Sequence, residues 1–505
     1  MLLLQPEEER PLNNFKTIAL KKAGLITCLF LCSTICSAQR EWLSDEHWRN
    51  AYNQVLQLQF KAAYKLPTSV SHDRVNAEEI YVQSLANGLE LLVTEDLAKF
   101  DRFENSYESS LDQLKDANSS SSLFAQAELR LLWAFIYLKF GHELDAAWNV
   151  RQAYLTVQEC KKEFPDFLPI KKTSGLLEIM LGSVPEKYQW IINFLGMEGS
   201  VDKGLKELET VREKCPTIQE ETTLLYYLFQ SFILQRTEVA MAGFDEIIKQ
   251  NPDNPLALFL GASVGIKNSQ SEKALTYLKK INENPGVTIR YSNYQLGEVY
   301  LHKGLYEQSI LSYQKFLDGY KGQNYVKDAY YKIGICYWLM GNSTEAKKHF
   351  DTASEKGKES AEADKYAARS LSEATYPNVT LSKIRYATDG GYYEDATKLI
   401  NSVTEKDFTN SKDKIELAYR QARLYHKKGL LKEAKKSYLE TITKQGDAPW
   451  YFAPNSCLQL GYLFLEEQNT ADAKKYFEKA LTYKKHEYKN SIDSKAKSAL
   501  AQMKK

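Results

Sequence analysis

The chain carries almost no net charge. Its 66 Lys and Arg face 65 Asp and Glu, leaving +1. A nucleic-acid binder needs a basic excess to displace counterions, so that class is excluded as an expectation. One basic run does close the sequence, through Lys484, Lys485, Lys489, Lys495 and Lys497 to Lys504 and Lys505. It reads as a solvated helix face and tail. Cysteine is scarce. Cys28, Cys32 and Cys36 sit in an apolar leader, and Cys160, Cys215, Cys336 and Cys457 are far apart with no CxxC pair. Neither a zinc site nor a disulfide framework is indicated. The seven histidines form no HExxH or HxxxH, and GxxxxGK and GxGxxG are both missing, so no metal or nucleotide cradle is expected. The string Gly261-Ala262-Ser263-Val264-Gly265 spells a nucleophile elbow. That chemistry needs a strand before the Ser, whereas this string lies inside a helical pattern. No catalytic residue, metal or cofactor is expected.

What the chain does have is a repeated spacing. Leu296-Gly297, Tyr300, Ser309, Tyr313 and Phe316 are followed by Ile333-Gly334, Tyr337, Ala346, Phe350 and Ala353. In both copies an aromatic follows the Gly by one turn, a turn glycine comes next (Gly304, Gly341), and a second helix offers a small, an aromatic and another apolar residue. Small residues let two antiparallel helices cross closely, and aromatics are expected to fill the wedge between successive hairpins. The turn glycine takes a backbone conformation that a Cβ opposes. With 33 copies, Tyr is plentiful enough for such wedges. The pattern resembles the tetratricopeptide repeat, a helix–turn–helix of about 34 residues.

Residues 1–38 read as a secretory signal. Lys21-Lys22 precede the apolar run Ala23 to Cys36, and cleavage is expected after Ala38. Lipidation at Cys36, or an uncleaved leader, would instead attach the chain to the envelope membrane. Residues 39–219 read as a helical region with one repeat-like hairpin, carried by Trp133-Ala134, Tyr137, Gly141, Ala146, Val150 and Ala153. Pro165 and Pro169 interrupt it. The following stretch has a Gly-led apolar helix (Gly175 to Pro185), then Gly196-Met197-Glu198-Gly199 and Asp202-Lys203-Gly204-Leu205 with Leu208. It resembles a segment of the eukaryotic inclusion-body-clearance proteins and their animal tetratricopeptide-repeat relatives. Met197 stands where that family has Phe, and Ser200-Val201 are extra. The resemblance implies a helical repeat protein with no assigned catalytic residues.

Residues 220–505 read as a repeat array with a C-terminal capping helix. Copies start from Ser231, Ala262, Gly297, Gly334, Ile384, Ala422 and Gly461, and the spacing lengthens over 354–383. The expected fold is therefore all-α, a solenoid of tetratricopeptide-type hairpins. The expected function is a secreted or periplasmic scaffold that holds a protein or peptide ligand in a concave groove. First helices line such a groove, which makes Asn293, Tyr294, Tyr330, Tyr331 and Lys332 the candidate contacts, as exposed aromatics with polar neighbours. The alternative is a helical carrier of an apolar ligand such as a lipid, with its pocket near residues 165–215. The oligomeric state stays open, because solenoid ends can pair.

Overall fold

The computed structural model describes residues 41–64, 76–115, 117–184, 195–284, 289–373 and 375–503. The expected leader lies outside them. Every regular element among them is helical, and none is long and apolar enough to cross a membrane. An N-terminal block contains α1 (Glu46–Leu56), α2 (Lys61–Tyr64), α3 (Ala77–Thr94) and α4 (Leu97–Lys115). Hairpins follow: α5 (Ser120–Phe140) with α6 (Glu143–Glu163), α7 (Ile170–Gly182) with α8 (Val201–Lys214), and α9 (Gln219–Phe232) with α10 (Thr237–Gln250). Next come α11 (Pro255–Lys267) with α12 (Ser271–Glu283), α13 (Arg290–Lys303) with α14 (Tyr306–Leu317), and α15 (Val326–Leu339) with α16 (Ser343–Glu355). A lone α17 (Glu362–Ser372) breaks the order. The array resumes with α18 (Val379–Gly390) and α19 (Tyr393–Asn401), α20 (Ser411–Lys427) and α21 (Leu431–Gln445), and α22 (Phe452–Glu466) and α23 (Thr470–Thr482). Helix α24 (Lys489–Gln502) covers the last apolar face through Ile492, Ala496 and Ala499.

Local chemistry explains the hairpins. Gly304 ends α13 at φ +78°, and Gly341 follows α15 at φ +82°. There Leu305 and Asn342 donate back to the carbonyls of Tyr300 and Tyr337, which closes each helix end. Asn254, Asn342 and Asn469 cap the helices after them, and Pro255 takes the first helical position of α11. Asp145, Glu345, Glu433 and Asp472 lie in first turns, where the helix dipole favours a carboxylate. The second-helix aromatics do something closer than filling a wedge. A Cβ built on Gly297, Gly334 or Gly461 would stand 2.5–2.6 Å from the ring of Tyr313, Phe350 or Phe477 respectively. Each ring therefore presses against the glycine of its own hairpin partner and is buried. The first-helix aromatics Tyr300 and Tyr337 are only half-buried.

The array closes on itself. Leu58, Phe60 and Val93 from the N-terminal block pack into the core shared by α10, α11, α12 and α13. The loop after α14 meets the same block: Asn324 donates to Glu95 Oε2 at 2.6 Å and to the Lys139 carbonyl at 3.0 Å. Lys139 Nζ stands 3.0 Å from Glu95 Oε1. After α17 the chain returns, and α18 packs mainly on α13 and to a lesser extent on α15 of the preceding hairpin. His302 stacks on Tyr386 at 6.2 Å, and Tyr392 donates to Glu272 at 2.9 Å. Asp364 on α17 accepts from the amides of Tyr325 and Asp328, which caps α15 from outside its own segment.

His302 and His426 precede turn glycines, where the last carbonyls of the helix would be their expected partners. The structure pairs them with hydroxyls of neighbouring helices instead, Ser271 at 3.3 Å and Tyr438 at 3.1 Å. Burial, with Arg423 and Lys427 nearby, lowers the imidazole of His426 to about 4 from its ordinary 6.5. The folded state then binds the proton less readily than the unfolded chain, so stability is full above pH 6.5 and falls as pH drops toward 4. The loss for this one group is at most roughly 3 kcal/mol, less what partial exposure screens. Urea midpoints should fall between pH 7 and pH 4, and His426→Gln should flatten that slope; an equal slope in both proteins would contradict the assignment.

Candidate functional site

Where α17 interrupts the hairpins, the two halves of the array do not seal. A cleft of about 760 Å³ opens between α15 and α17 on one side and α18, α20 and the Trp450–Phe452 turn on the other, with Tyr488 at its end. Aromatic rings form its walls. Tyr366 and Tyr488 lie nearly parallel with centroids 6.3 Å apart, and Tyr451 meets Tyr488 edge-on at 5.1 Å. Trp338 fixes the rim by donating to the Pro377 carbonyl at 2.9 Å. Two guanidiniums reach the floor. Arg420 donates to Glu416 Oε1 at 2.5 and 2.9 Å and to Tyr451 Oη at 3.2 Å. Arg385 donates to Tyr366 Oη at 2.9 Å. Burial alone would raise the Tyr366 phenol, but Arg385 and Arg420 outweigh it and hold the phenol below its usual value.

The five residues read from the sequence fare differently. Tyr294 is 5% exposed and donates to Asp328 Oδ2 at 2.6 Å. Lys332 is buried between Glu298 Oε1 at 2.5 Å and Asp328 Oδ2 at 3.6 Å. Tyr331, 4% exposed, forms part of the cleft wall. The expectation that these three are exposed is therefore corrected, because the inner face on which they lie is covered by the chain itself. Asn293 and Tyr330 are half-buried, and Lys356 Nζ lies 5.6 Å from the Tyr330 ring. Burial pushes Asp328 up to about 6 against the pull of Lys332, while Lys332 and His302 outweigh burial at Glu298 and lower it. This network holds α13 and α15 together.

Sequence reasoning missed Tyr366, Arg385, Arg420, Tyr451 and Tyr488. The usable signal was the lengthened spacing over 354–383, which marks where the regular stacking has to fail. Ser263 sits within α11, donates to the Phe259 carbonyl at 3.0 Å and accepts from Gln295 at 2.6 Å, so no base stands ready to activate it. Cys336 is buried, and burial raises its thiol to about 12. Among the described residues no cluster of His, Cys, Asp and Glu has the makings of a metal site.

The segment expected to shape an apolar pocket is close-packed where it is described. A Cβ on Gly204 would stand 2.5 Å from the Gly175 carbonyl, and one on Gly199 would stand 2.5 Å from the Gly182 nitrogen. Helices α7 and α8 touch backbone to backbone there; residues 185–194 of that stretch lie outside the described residues. The cleft is elsewhere.

Comparison with known proteins agrees with the repeat reading. The family described as Iml2/Tetratricopeptide repeat protein 39 matches residues 169–374, and the tetratricopeptide repeat matches residues 454–487. No curated protein gives a significant match. Among solved structures, the human IFIT1 dimer with m7Gppp-AAAA is 14% identical, with 88% of this chain and 97% of that one covered and a TM-score of 0.33. A Rap protein complexed with competence and sporulation factor is 14% identical over 74% of this chain and 99% of its own, at 0.34. PilW, a type IV pilus biogenesis factor, is 17% identical over 45% and 92%, at 0.32. Likenesses this distant bring no ligand to the chain. The chain is thus an all-α solenoid of tetratricopeptide-type hairpins, matched over residues 169–374 by the Iml2/Tetratricopeptide repeat protein 39 family and over 454–487 by the tetratricopeptide repeat.

Proposed function

We propose that this chain is a secreted or periplasmic scaffold that holds a segment of another protein, and that the segment docks in the cleft between α15, α17, α18 and α20. One observation carries the reading. The chain fills much of its own inner face, and the cleft is a place where aromatic and guanidinium groups remain open to a partner. Such groups supply apolar area and directed hydrogen bonds together, as interface anchors do. Asn293 and Tyr330, which are not among the residues lining the cleft, are kept as further candidate contacts. The signal-like leader supports export, and N-terminal sequencing of the mature protein should begin at Gln39; a start at Met1 would contradict export by cleavage.

The docking claim is tested with a photoreactive side chain at Tyr366, compared with one at Lys162 on the outer face of α6. A discrete crosslinked protein is expected from position 366, lost in Arg385→Glu and absent from position 162. Equal crosslinking from both positions would contradict the cleft as the docking surface.

A further inference from the structure

The charged groups of the cleft are not equivalent. Glu416 is engaged by Arg420, and Glu373 by Lys412 at 3.2 Å. Asp413 accepts from Asn378 at 3.1 Å and lies in the first turn of α20. Two cations lack such engagement. Arg385 donates to the Tyr366 phenol, and its carboxylate partner Asp389 stands 3.6 Å from Nε, beyond a good hydrogen bond. Arg369 has no ion pair among the described residues; its guanidinium lies over the Tyr488 ring at 5.8 Å. Arg385 lies over Tyr366 and Tyr386, and the Tyr366 ring faces the Tyr488 ring across 6.3 Å.

We propose, building on the docking reading above, that the cleft selects a protein segment bearing a side-chain carboxylate, received by Arg385 and Arg369 while the rings of Tyr366 and Tyr488 cover its apolar neighbours. A guanidinium presents planar paired donors that match a carboxylate, and Arg385 has donors to spare after serving one phenol. On the lining Glu373, Asp413, Glu416 and Glu487 balance Arg369, Arg385, Lys412 and Arg420, so one carboxylate can be met by the two less engaged guanidiniums while a run of phosphates would find no matching run of cations.

The test uses the full mature chain and fluorescent peptides of one Tyr/Leu/Ser framework that carry two central Glu, Gln or Lys residues. A short RNA strand is run alongside. The Glu peptide should bind about tenfold tighter than the Gln peptide, as a charge-assisted contact requires. The gap should narrow as salt is raised and vanish in Arg385→Gln. Should Arg385→Gln fail to fold, the exposed rim variant Arg369→Gln serves, with a gap reduced to about threefold, the share of one of two guanidiniums. Equal binding of Glu and Gln peptides, or RNA binding tighter than the Glu peptide, would overturn the proposal. If the peptides bind equally and Tyr366→Ser abolishes both, docking in the cleft stands and only carboxylate selection falls. If no peptide binds, the selection proposal falls, and crosslinking from position 366 decides separately whether the docking reading falls with it.

Discussion

Replacing Lys172 by methionine will lower the stability of the N-terminal half by about 3–5 kcal/mol, the usual cost of removing one partner from a buried ion pair. Lys172 on α7 is fully buried, and its Nζ stands 2.5 Å from Glu128 Oε2 and 2.5 Å from Glu221 Oε2. Tyr52 donates to Glu221 at 2.5 Å, and Tyr81 to Glu128 at 3.3 Å. Burial raises Glu128 above the usual carboxylate range, partly offset by Lys172. Burial would lower Lys172, but the two carboxylates outweigh it and keep the amine charged. Methionine keeps the stem and deletes the charge, which leaves two carboxylates facing each other away from water. For a cooperative unit of this size the melting midpoint should drop by roughly 6–20 °C. Adding Glu128→Gln should restore part of the loss, since it removes one of the two stranded charges. A shift below about 1 kcal/mol would mean that water reaches the triad.

The second large effect is expected at the crossing of α7 and α8. In Gly204→Val the new Cβ would meet the Gly175 carbonyl at 2.5 Å and Ile179 Cγ1 at 2.7 Å. A backbone atom cannot swing aside as a side-chain tip can, so the helices must separate. Overpacking usually costs about 1–3 kcal/mol, and a branched residue against backbone belongs at or above the top of that range. Gly265→Ala on α11 is the matched control. Its Cβ would find nothing nearer than Ala274 Cβ at 3.4 Å, an ordinary contact. Helix propensity then favours alanine by up to about 1 kcal/mol, so that variant should be neutral or more stable. Equal losses at the two positions would contradict the close crossing. The glycines of 175–204 carried the family resemblance in the sequence; close backbone approach is the physical reason for Gly175, Gly182, Gly199 and Gly204, and a positive φ for Gly196.

How much could be read in advance follows from how local each feature is. Gly297 and Tyr313, or Gly334 and Phe350, lie sixteen residues apart within one hairpin, so their pairing leaves a fixed spacing. Turn glycines and asparagine caps leave equally local marks. The closure leaves none. Asn324 meets Glu95 across 229 positions, and α18 reaches α13 only because α17 diverts the chain. A reading that assumes an unbroken superhelix therefore places Tyr294, Tyr331 and Lys332 on an open groove, whereas the chain's own later and earlier segments cover that surface. The cleft depends on the same diversion. Its residues come from α15, α17 and the segment after it, α18, α20, the turn at 450–452 and Tyr488, and no periodicity links them.

The most direct test of this closure is disulfide trapping between α13 and α18. A Cβ built on Gly390 lies 2.6 Å from His302 Cβ, and a disulfide sets the two Cβ atoms about 3.5–4.5 Å apart, so a shift of about 1 Å suffices. The described native cysteines Cys160, Cys215, Cys336 and Cys457 are buried and should not compete. The double variant His302→Cys, Gly390→Cys should form one intramolecular bond on mild oxidation, mapped by mass spectrometry to positions 302 and 390 in a monomer. If both cysteines stay freely alkylated, or link only between molecules, then α18 does not rest on α13 and the closed array with its cleft is wrong.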